Sequence, residues 1–376
     1  MKAGRPSYLL IPFALVGFAV VFSACKKEPL PKLVMNNASW GSTSVNGGDV
    51  TSVCLNKSKD DGPHGPNSPF KTKIWGDEFD GPGTTYPSAD PTCYSDDTMA
   101  RCSNRLDWFG DASNAHCSSY DLTHLRGLNK CAWTLWSGYS FWDNSGKQAY
   151  SPNSVQLRQD SQAGSGVLSL QINVNNNATG GCSNGGSLTG CSILAGGVDS
   201  APRDGMVTGT QVQQGRVAMR AKLPSQQMGY PALWMWQTQG GADGHIGEID
   251  LWESPRNFMT EYTRGYAHFH DWFTGYTGGA RSIGYDILVN YGEYHEFGVE
   301  RTADSLKFYV DDCYTGLVKN GDMSTGKNAG TLEINSLPEF LIMGLSATGA
   351  ALDSASTAAS INGQEMLIDY VRVYGP

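Results

Sequence analysis

The feature that most restricts the fold is a series of short apolar segments, each closed by Gly, Asn, Asp or Pro. Apolar and polar residues alternate within them, and no stretch sustains an apolar period of 3.6 residues. Alternation puts successive side chains on opposite faces of a strand, so one face can be buried. Many such strands in succession predict an all-β fold, an antiparallel sandwich or barrel. The expected strands are Lys73 to Phe79, Val155 to Leu157, Val167 to Ile172, Gly215 to Leu223, Ala232 to Trp236, Glu248 to Trp252, Tyr266 to His270, Tyr294 to Glu300, Leu306 to Val310, Phe340 to Leu345 and Met366 to Tyr374.

Composition fits extracellular work on carbohydrate better than nucleic-acid binding. The 376 residues carry a net charge of -9, and the charged fraction is only 17%, with abundant Gly and aromatic residues. Nucleic-acid binders neutralise phosphates with clustered Lys and Arg, and this sequence has no such stripe. We therefore expect no nucleic-acid partner, and we expect a monomer.

The N-terminus has the layout of an export signal over residues 1–25. Lys2 and Arg5 precede an apolar run from Tyr8 to Phe22, and small residues follow. The segment Phe22-Ser23-Ala24-Cys25 resembles a bacterial lipobox, in which the Cys becomes the lipidated first residue. We expect export to the cell envelope as an outer-membrane or surface lipoprotein, with Cys25 as the only membrane anchor. A plain signal with secretion and an uncleaved anchor are the alternatives.

Two further boundaries follow from composition. Residues 26–70 are rich in Asn, Gly, Ser, Lys and Pro and cannot bury enough apolar surface to offset their ordering entropy, which predicts a flexible tether. Residues 71–376 then form one β domain. The alternation lapses at about 81–128, which predicts a Cys-rich insertion, with a small separate module as the alternative.

The cysteines indicate disulfides. Besides Cys25, an even set of eight remains in a chain that has the layout of an exported protein. Metal binding is the alternative, but no pair has Cys-x-x-Cys spacing and no His lies close enough to complete a zinc finger. Cys182 and Cys191 bracket a Gly/Ser/Asn stretch and are the favoured local pair. The eight are Cys54, Cys93, Cys102, Cys117, Cys131, Cys182, Cys191 and Cys313.

Three acidic residues are concentrated in Gly247-Glu248-Ile249-Asp250-Leu251-Trp252-Glu253. In a regular strand Glu248 and Asp250 share a face, and Glu253 points to the other one. A β-bulge near Leu251 and Trp252 would return Glu253 to the first face. Because like charges on one face cost free energy, the pattern indicates a site that acts on a substrate. A solvated acidic edge strand is the alternative.

Such a set suits the hydrolysis of a glycoside with retention of configuration. One carboxylate acts as the nucleophile, and a protonated carboxyl roughly 5–5.5 Å away acts as acid and then as base. The spacing of a bulged strand can supply that distance. Asp250, placed between the others, would favour a proton on Glu253 and position Glu248 by a hydrogen bond.

The letters E-I-D-L-W-E resemble the signature of glycoside hydrolase family 16, in the bulged form E-x-D-x-x-E of laminarinases, agarases and carrageenases. The resemblance covers most of the chain and implies a concanavalin-like β-jelly-roll sandwich with a concave substrate cleft. It implies that Glu248 is the nucleophile, Asp250 its helper and Glu253 the acid/base. The other segments that carry it are Ile74 to Asp80, Lys130 to Trp133, Tyr150 to Leu157, Gly215 to Leu233, Tyr294 to Val310, Phe340 to Leu345 and Met366 to Tyr374.

Five further residues are candidate substrate contacts. Trp234 and Trp236 share a face and could stack on sugar rings, with core packing of at least one as the alternative. The resemblance implies a cleft position for Arg220, which could equally be a surface charge. His268 and His270 alternate and could reach sugar hydroxyls, although each could be structural. Neither has a second His or Cys at useful metal spacing, so a catalytic zinc is not expected.

No cofactor is expected to be required. The resemblance implies a structural calcium ion on the convex face, with a ligand near Asp369. The sequence also departs from the family pattern, since Tyr230 replaces the Trp before Pro231 and Gly344 stands where Asn is common. These departures suggest a preserved reaction on a shifted or unusual polysaccharide.

The sequence therefore predicts a retaining endo-β-glycosidase, with β-1,3-glucan as the favoured substrate. The alternatives are a galactan hydrolase acting on agar or carrageenan, a transglycosylase, and a glycan-binding protein without catalysis.

Overall fold

The computed structural model describes residues 68–82, 84–87, 90–95, 101–103, 121–139, 147–176, 178, 190–201, 210–224, 229–237, 244–253, 264–273, 280–289, 292–311, 313–324, 328–334, 336–347 and 360–376. No helix in this part of the chain is long and apolar enough to span a membrane. The export signal, the lipid anchor at Cys25 and nearly all of the tether lie outside the described residues, so they stay predictions.

The described residues form three 3-10 turns and nineteen strands. The strands are β1 (Thr72–Asp77), β2 (Arg101–Ser103), β3 (Thr134–Trp136), β4 (Gly138–Tyr139), β5 (Gln148–Tyr150), β6 (Val155–Asp160), β7 (Ser165–Val174), β8 (Ile193–Asp199), β9 (Gln211–Val212), β10 (Gly215–Lys222), β11 (Gly229–Gln237), β12 (His245–Glu253), β13 (Arg264–Phe273), β14 (Arg281–Leu288), β15 (Tyr294–Arg301), β16 (Ser305–Val310), β17 (Cys313–Lys319), β18 (Glu339–Ala347) and β19 (Gln364–Gly375).

The strands form two mainly antiparallel sheets that pack face to face. One, here called the carboxylate sheet, runs β8–β18–β11–β12–β13–β14. The other, the opposite sheet, runs β6–β7–β19–β10–β15–β16–β17, with β1 beside the C-terminal half of β19. The predicted all-β jelly-roll sandwich is confirmed, and every predicted strand lies at its expected place.

Strand β8 belongs to both sheets. Ala195 pairs with Ile172 in the opposite sheet, whereas the next residue, Gly196, pairs with Leu345 in the carboxylate sheet. At the other margin, Tyr285 of β14 donates a hydrogen bond to the carbonyl of Leu317 in β17, at 2.5 Å. The two margins of the sandwich are therefore joined differently, one by a shared backbone and the other through side chains.

The core between the sheets is apolar because each strand turns its alternate residues inward. Leu233, Met235 and Ile249 come from the carboxylate sheet and meet Met219 and Val371 of the opposite sheet, all at most 1% exposed. Trp252 reaches across to Phe297, with 5.2 Å between the ring centroids. Because the inward-facing residues of each strand fill the core, its outward-facing residues can be polar.

Part of the predicted insertion joins this core. Cys93 forms a disulfide with Cys131, and Leu125 and Leu128 are buried in the core cluster. Cys191 and Cys313 are also disulfide-bonded, so disulfides are confirmed for these four cysteines. Cys182, the favoured partner of Cys191, lies outside the described residues.

Candidate active site

The three acids meet on one face because β12 contains the predicted bulge. Asp250 pairs with His268 of β13, but Glu253 pairs with Tyr266, so three steps along β12 oppose two along β13. The ladder with β11 shifts at the same place. Leu251 and Trp252 both face the core as a result, at 1% and 0% exposure. The extra residue returns Glu253 to the face of Glu248 and Asp250, as predicted.

Each acid contacts the β13 residue that lies two positions beyond its cross-strand neighbour. Trp272 donates its indole N–H to Glu248 Oε2 at 2.5 Å. His270 Nε2 lies 3.2 Å from Asp250 Oδ2. Diagonal neighbours across antiparallel strands are within reach of long side chains. Glu248 and Asp250 are buried, so these β13 groups replace water around them.

Each carboxylate oxygen of Glu253 has a side-chain partner. His268 Nδ1 lies 2.5 Å from Oε1, and the Tyr230 hydroxyl donates to Oε2 at 2.5 Å. The His268 ring stacks on Tyr266, with 5.1 Å between centroids. It also lies over Gly284 of β14, where an added Cβ would come within 1.9 Å of the ring. Glycine at that position is what allows the imidazole to reach Glu253.

Burial and neighbouring charges shift the pKa values of Glu248 and Glu253 in opposite directions. Burial, and then the charge of Asp250, raises the pKa of Glu248 to about 8. Burial and the charge of Glu253 raise the pKa of Asp250 as well. Burial also acts to raise the pKa of Glu253, but the hydrogen bond and the positive charge of His268 outweigh it and lower that pKa. In the free protein the proton therefore lies on Glu248 rather than on Glu253.

Aromatic rings border the acids on the same face. Trp234 is 4% exposed and packs in a second apolar cluster with Trp136 and Phe340, so it fits the packing alternative. Trp236 is half-buried, and its ring centroid lies 6.5 Å from that of Trp272. These two partly exposed rings are the ones beside Glu248 on which a sugar could stack.

The predicted cleft position of Arg220 is wrong. Arg220 lies in β10 of the opposite sheet, between Met219 and Ala221, which face the core, so its side chain projects from the outer face. There it forms an ion pair with Asp369 and lies 4.8 Å from the centroid of the Tyr294 ring. It is a surface charge on the sheet remote from the acids, which was the alternative.

The same ion pair bears on the predicted calcium ligand. One carboxylate oxygen of Asp369 accepts from Arg220 and the other accepts from the hydroxyl of Ser165. A guanidinium group repels a cation, so this side chain does not fit the ligand role predicted for it. The calcium ion itself remains a prediction.

Two residues that contact the acids, and one that makes room for His268, were not predicted as site residues. Trp272 was detectable, because the alternation that links His268 and His270 continues to it on the same face. Tyr230 was noted only as a departure from a family pattern. Its contact with Glu253 spans β11 and β12 and depends on the bulge. Gly284 contributes only the space that it leaves, which no local pattern reveals.

Comparison with known proteins gives one family. Residues 187–372 match the model described as Glycosyl hydrolases family 16. The chain is 33% identical over 168 residues to the glucan endo-1,3-beta-glucosidase A1 of Niallia circulans, covering 43% of this chain and 24% of the relative. It is 27% identical over 164 residues to the beta-glucanase of Rhodothermus marinus, covering 43% and 57%. The chain thus spans about a quarter and just over half of the lengths of these curated relatives.

Solved structures agree on the fold. A protein from work on endo-acting O-glycanases, by which prominent members of the human gut microbiota initiate mucin breakdown, has a TM-score of 0.51 at 21% identity, covering 80% of this chain and 90% of that one. LamAcat from Zobellia galactanivorans has a TM-score of 0.50 at 17% identity, covering 81% and 98%. Likeness at such identities bears on the fold alone.

Proposed function

Because the chain belongs to glycosyl hydrolase family 16, we propose that it is a retaining endo-β-glycosidase that hydrolyses a polysaccharide, with β-1,3-glucan as the substrate. The observation that carries this proposal is the bulge in β12, which sets Glu248, Asp250 and Glu253 on one face. The substrate rests on the relative from Niallia circulans, a glucan endo-1,3-beta-glucosidase. We further propose that the protein acts outside the cytoplasm, at the cell envelope.

The proposed reaction has two steps. Glu248 attacks the anomeric carbon while Glu253 gives a proton to the departing glycosidic oxygen, which forms a glycosyl-enzyme. Glu253 then takes a proton from water, the water oxygen attacks the anomeric carbon, and Glu248 leaves. Asp250 lies between them on β12, and its charge helps to raise the pKa of Glu248. Trp236 and Trp272 offer rings on which a sugar unit can stack.

The reaction requires the opposite proton distribution from that of the free protein. Attack needs an ionised Glu248 and a protonated Glu253, whereas the resting proton lies on Glu248. We infer that the carboxyl groups titrate as one coupled set, in which a proton can pass from Glu248 to Glu253. The productive form is then the one in which this proton lies on Glu253, with His268 and Tyr230 as its neighbours.

The decisive experiment measures reducing ends released from laminarin, lichenan, agarose, porphyran and carrageenan. We expect the wild type to cleave laminarin and Glu248→Gln to lose activity by about a thousandfold or more, since the nucleophile is removed. Glu293→Gln, which changes an exposed acid just before β15, is the matched control and should keep full activity. NMR of the first products should show the β-anomer if configuration is retained.

Other outcomes would redirect the proposal. Cleavage of agarose or carrageenan alone would identify a galactan hydrolase. Products longer than the starting oligosaccharide would identify a transglycosylase. Full activity of Glu248→Gln, or no activity of the wild type on any of these glycans, would overturn the enzyme proposal and leave a glycan-binding protein.

A further inference from the structure

Four side chains on β12 and β13 also form a set of possible metal ligands. Asp250, Glu253, His268 and His270 each offer one ligand atom, and these four atoms lie within 4.8 Å of one another. We call them the His-carboxylate cluster. The ligands come from facing strands, two from β12 and two from β13, so sequence spacing could not reveal the set.

A buried oxygen in this cluster lacks a hydrogen bond. Asp250 is 3% exposed, and its Oδ2 accepts no hydrogen bond from any described group. The same oxygen lies 3.2 Å from His270 Nε2. A tetrahedral ion with N and O ligands at about 2.0–2.2 Å holds neighbouring ligand atoms about 3.3 Å apart. The Asp250–His270 pair already has this spacing.

We propose that the His-carboxylate cluster is a zinc-binding site, with two imidazole nitrogens and two carboxylate oxygens as ligands. Two imidazoles favour a transition ion over calcium or magnesium, which prefer sets of oxygen ligands. Each imidazole binds the ion through a nitrogen lone pair, so zinc and a proton compete for the same atoms. The contact between His268 and Glu253 opens from 2.5 Å to ligand spacing when the ion enters.

We expect the bound ion to inhibit hydrolysis rather than to take part in it. A zinc ion bound to Glu253 occupies the carboxylate oxygen that has to carry the proton. The same ion holds Asp250 in place beside Glu248. Only this consequence rests on the proposed function, because metal binding is measured without any substrate. Failure of hydrolysis and failure of zinc binding are therefore separate results.

Calorimetry with zinc chloride tests the proposal on tag-free, chelator-treated protein. We expect one site per chain in the wild type, and affinity about tenfold or more weaker in His270→Gln and in His268→Gln. The matched control is His295→Gln, which removes a histidine that also pairs with an Asp, 2.6 Å from Asp311 in the opposite sheet. Its zinc affinity should equal that of the wild type.

A spectroscopic readout identifies the ligands. Cobalt(II) placed in the same site should give the visible absorption of a four-coordinate ion in the wild type and in His295→Gln, and His270→Gln should lose it. Absence of binding to the wild type, or equal zinc affinity in all variants, overturns the proposal. Circular dichroism checks folding, and if His268→Gln does not fold, His270→Gln decides the result alone.

Discussion

At the scale of residues, the site is defined by one strand that carries acids and a neighbour that supplies their contacts. Glu248, Asp250 and Glu253 lie opposite His270, His268 and Tyr266, but the side chains contact Trp272, His270 and His268. This constant offset brings an indole or imidazole nitrogen close to each carboxyl. It also explains why Glu253, which faces an imidazole, binds its proton less tightly than Glu248, which faces an indole.

The first residue-scale prediction concerns pH. The proposed reaction needs the proton that rests on Glu248, and the raised pKa of Glu248, about 8, marks where that proton is lost. We expect kcat/KM on laminarin to fall as pH rises through about 8. Asp250→Asn removes a charge that raises this pKa, so the alkaline limb should move to lower pH.

Kinetic pH profiles of the two proteins check this directly. Asp304→Asn, an exposed acid in the turn before β16, serves as the matched control and should leave the limb in place. An alkaline limb that stays put or moves upward in Asp250→Asn would show that Asp250 does not set the proton affinity of Glu248.

Residue identities could be predicted from the sequence only where the signal is local. The three acids and the two histidines lie within short segments, and strand alternation fixes their faces. Arg220 was misplaced because its assignment to the cleft came from a family pattern. Nothing local shows which sheet a strand joins. The predicted order of the pKa values was wrong: Asp250 was expected to favour a proton on Glu253, but His268 reaches Glu253 across the bulge and lowers its pKa.

At the scale of elements, the bulge in β12 depends on how its two inward residues are accommodated. Leu251 and Trp252 are adjacent in sequence, yet both enter the core. The indole of Trp252 lies against Gly265 of β13, where a Cβ would come within 2.3 Å of the ring. The absence of a side chain at Gly265 thus leaves room for the extra residue that turns Glu253 outward.

We expect Gly265→Ala to lower the free energy of unfolding by about 1–3 kcal/mol, because the methyl group overpacks the Trp252 ring. Gly344→Ala is the matched control from β18, where the added Cβ would meet only the Trp136 ring at 3.7 Å. It should change stability little. Denaturant unfolding followed by tryptophan fluorescence compares them, and equal stabilities would refute the packing argument.

The elements themselves were largely predictable because alternation is a strong signal in half-buried strands. The bulge was predictable as well, since three acids on one face require it. What the sequence could not give was the pairing across sheets, such as β8 laddering with both β7 and β18, because those contacts join distant segments of the chain.

At the scale of the whole molecule, disulfides supplement the apolar core. The Cys93–Cys131 bridge spans 38 positions of the chain and ties the predicted insertion to the segment that enters β3. In the chain-entropy account, a cross-link stabilises mainly by restricting the unfolded ensemble. Reductant should therefore lower thermal stability.

A double variant isolates this bridge. Cys93→Ser with Cys131→Ser should lower the free energy of unfolding by about 2–4 kcal/mol. Calorimetric Tm values in oxidised and reduced buffer provide the measurement. The wild type should lose stability on reduction, whereas the variant should lose less. Identical Tm values for the two oxidised proteins would argue against a stabilising role for this bridge.

The shared strand β8 gives the sandwich a mechanical asymmetry. At that margin a tensile load must break backbone hydrogen bonds before the layers separate. At the far margin, the described contacts of Tyr285 are a side-chain hydrogen bond to Leu317 and ring packing on Phe308. Strain applied across the layers would open the far margin first, with β8 as the hinge about which it turns.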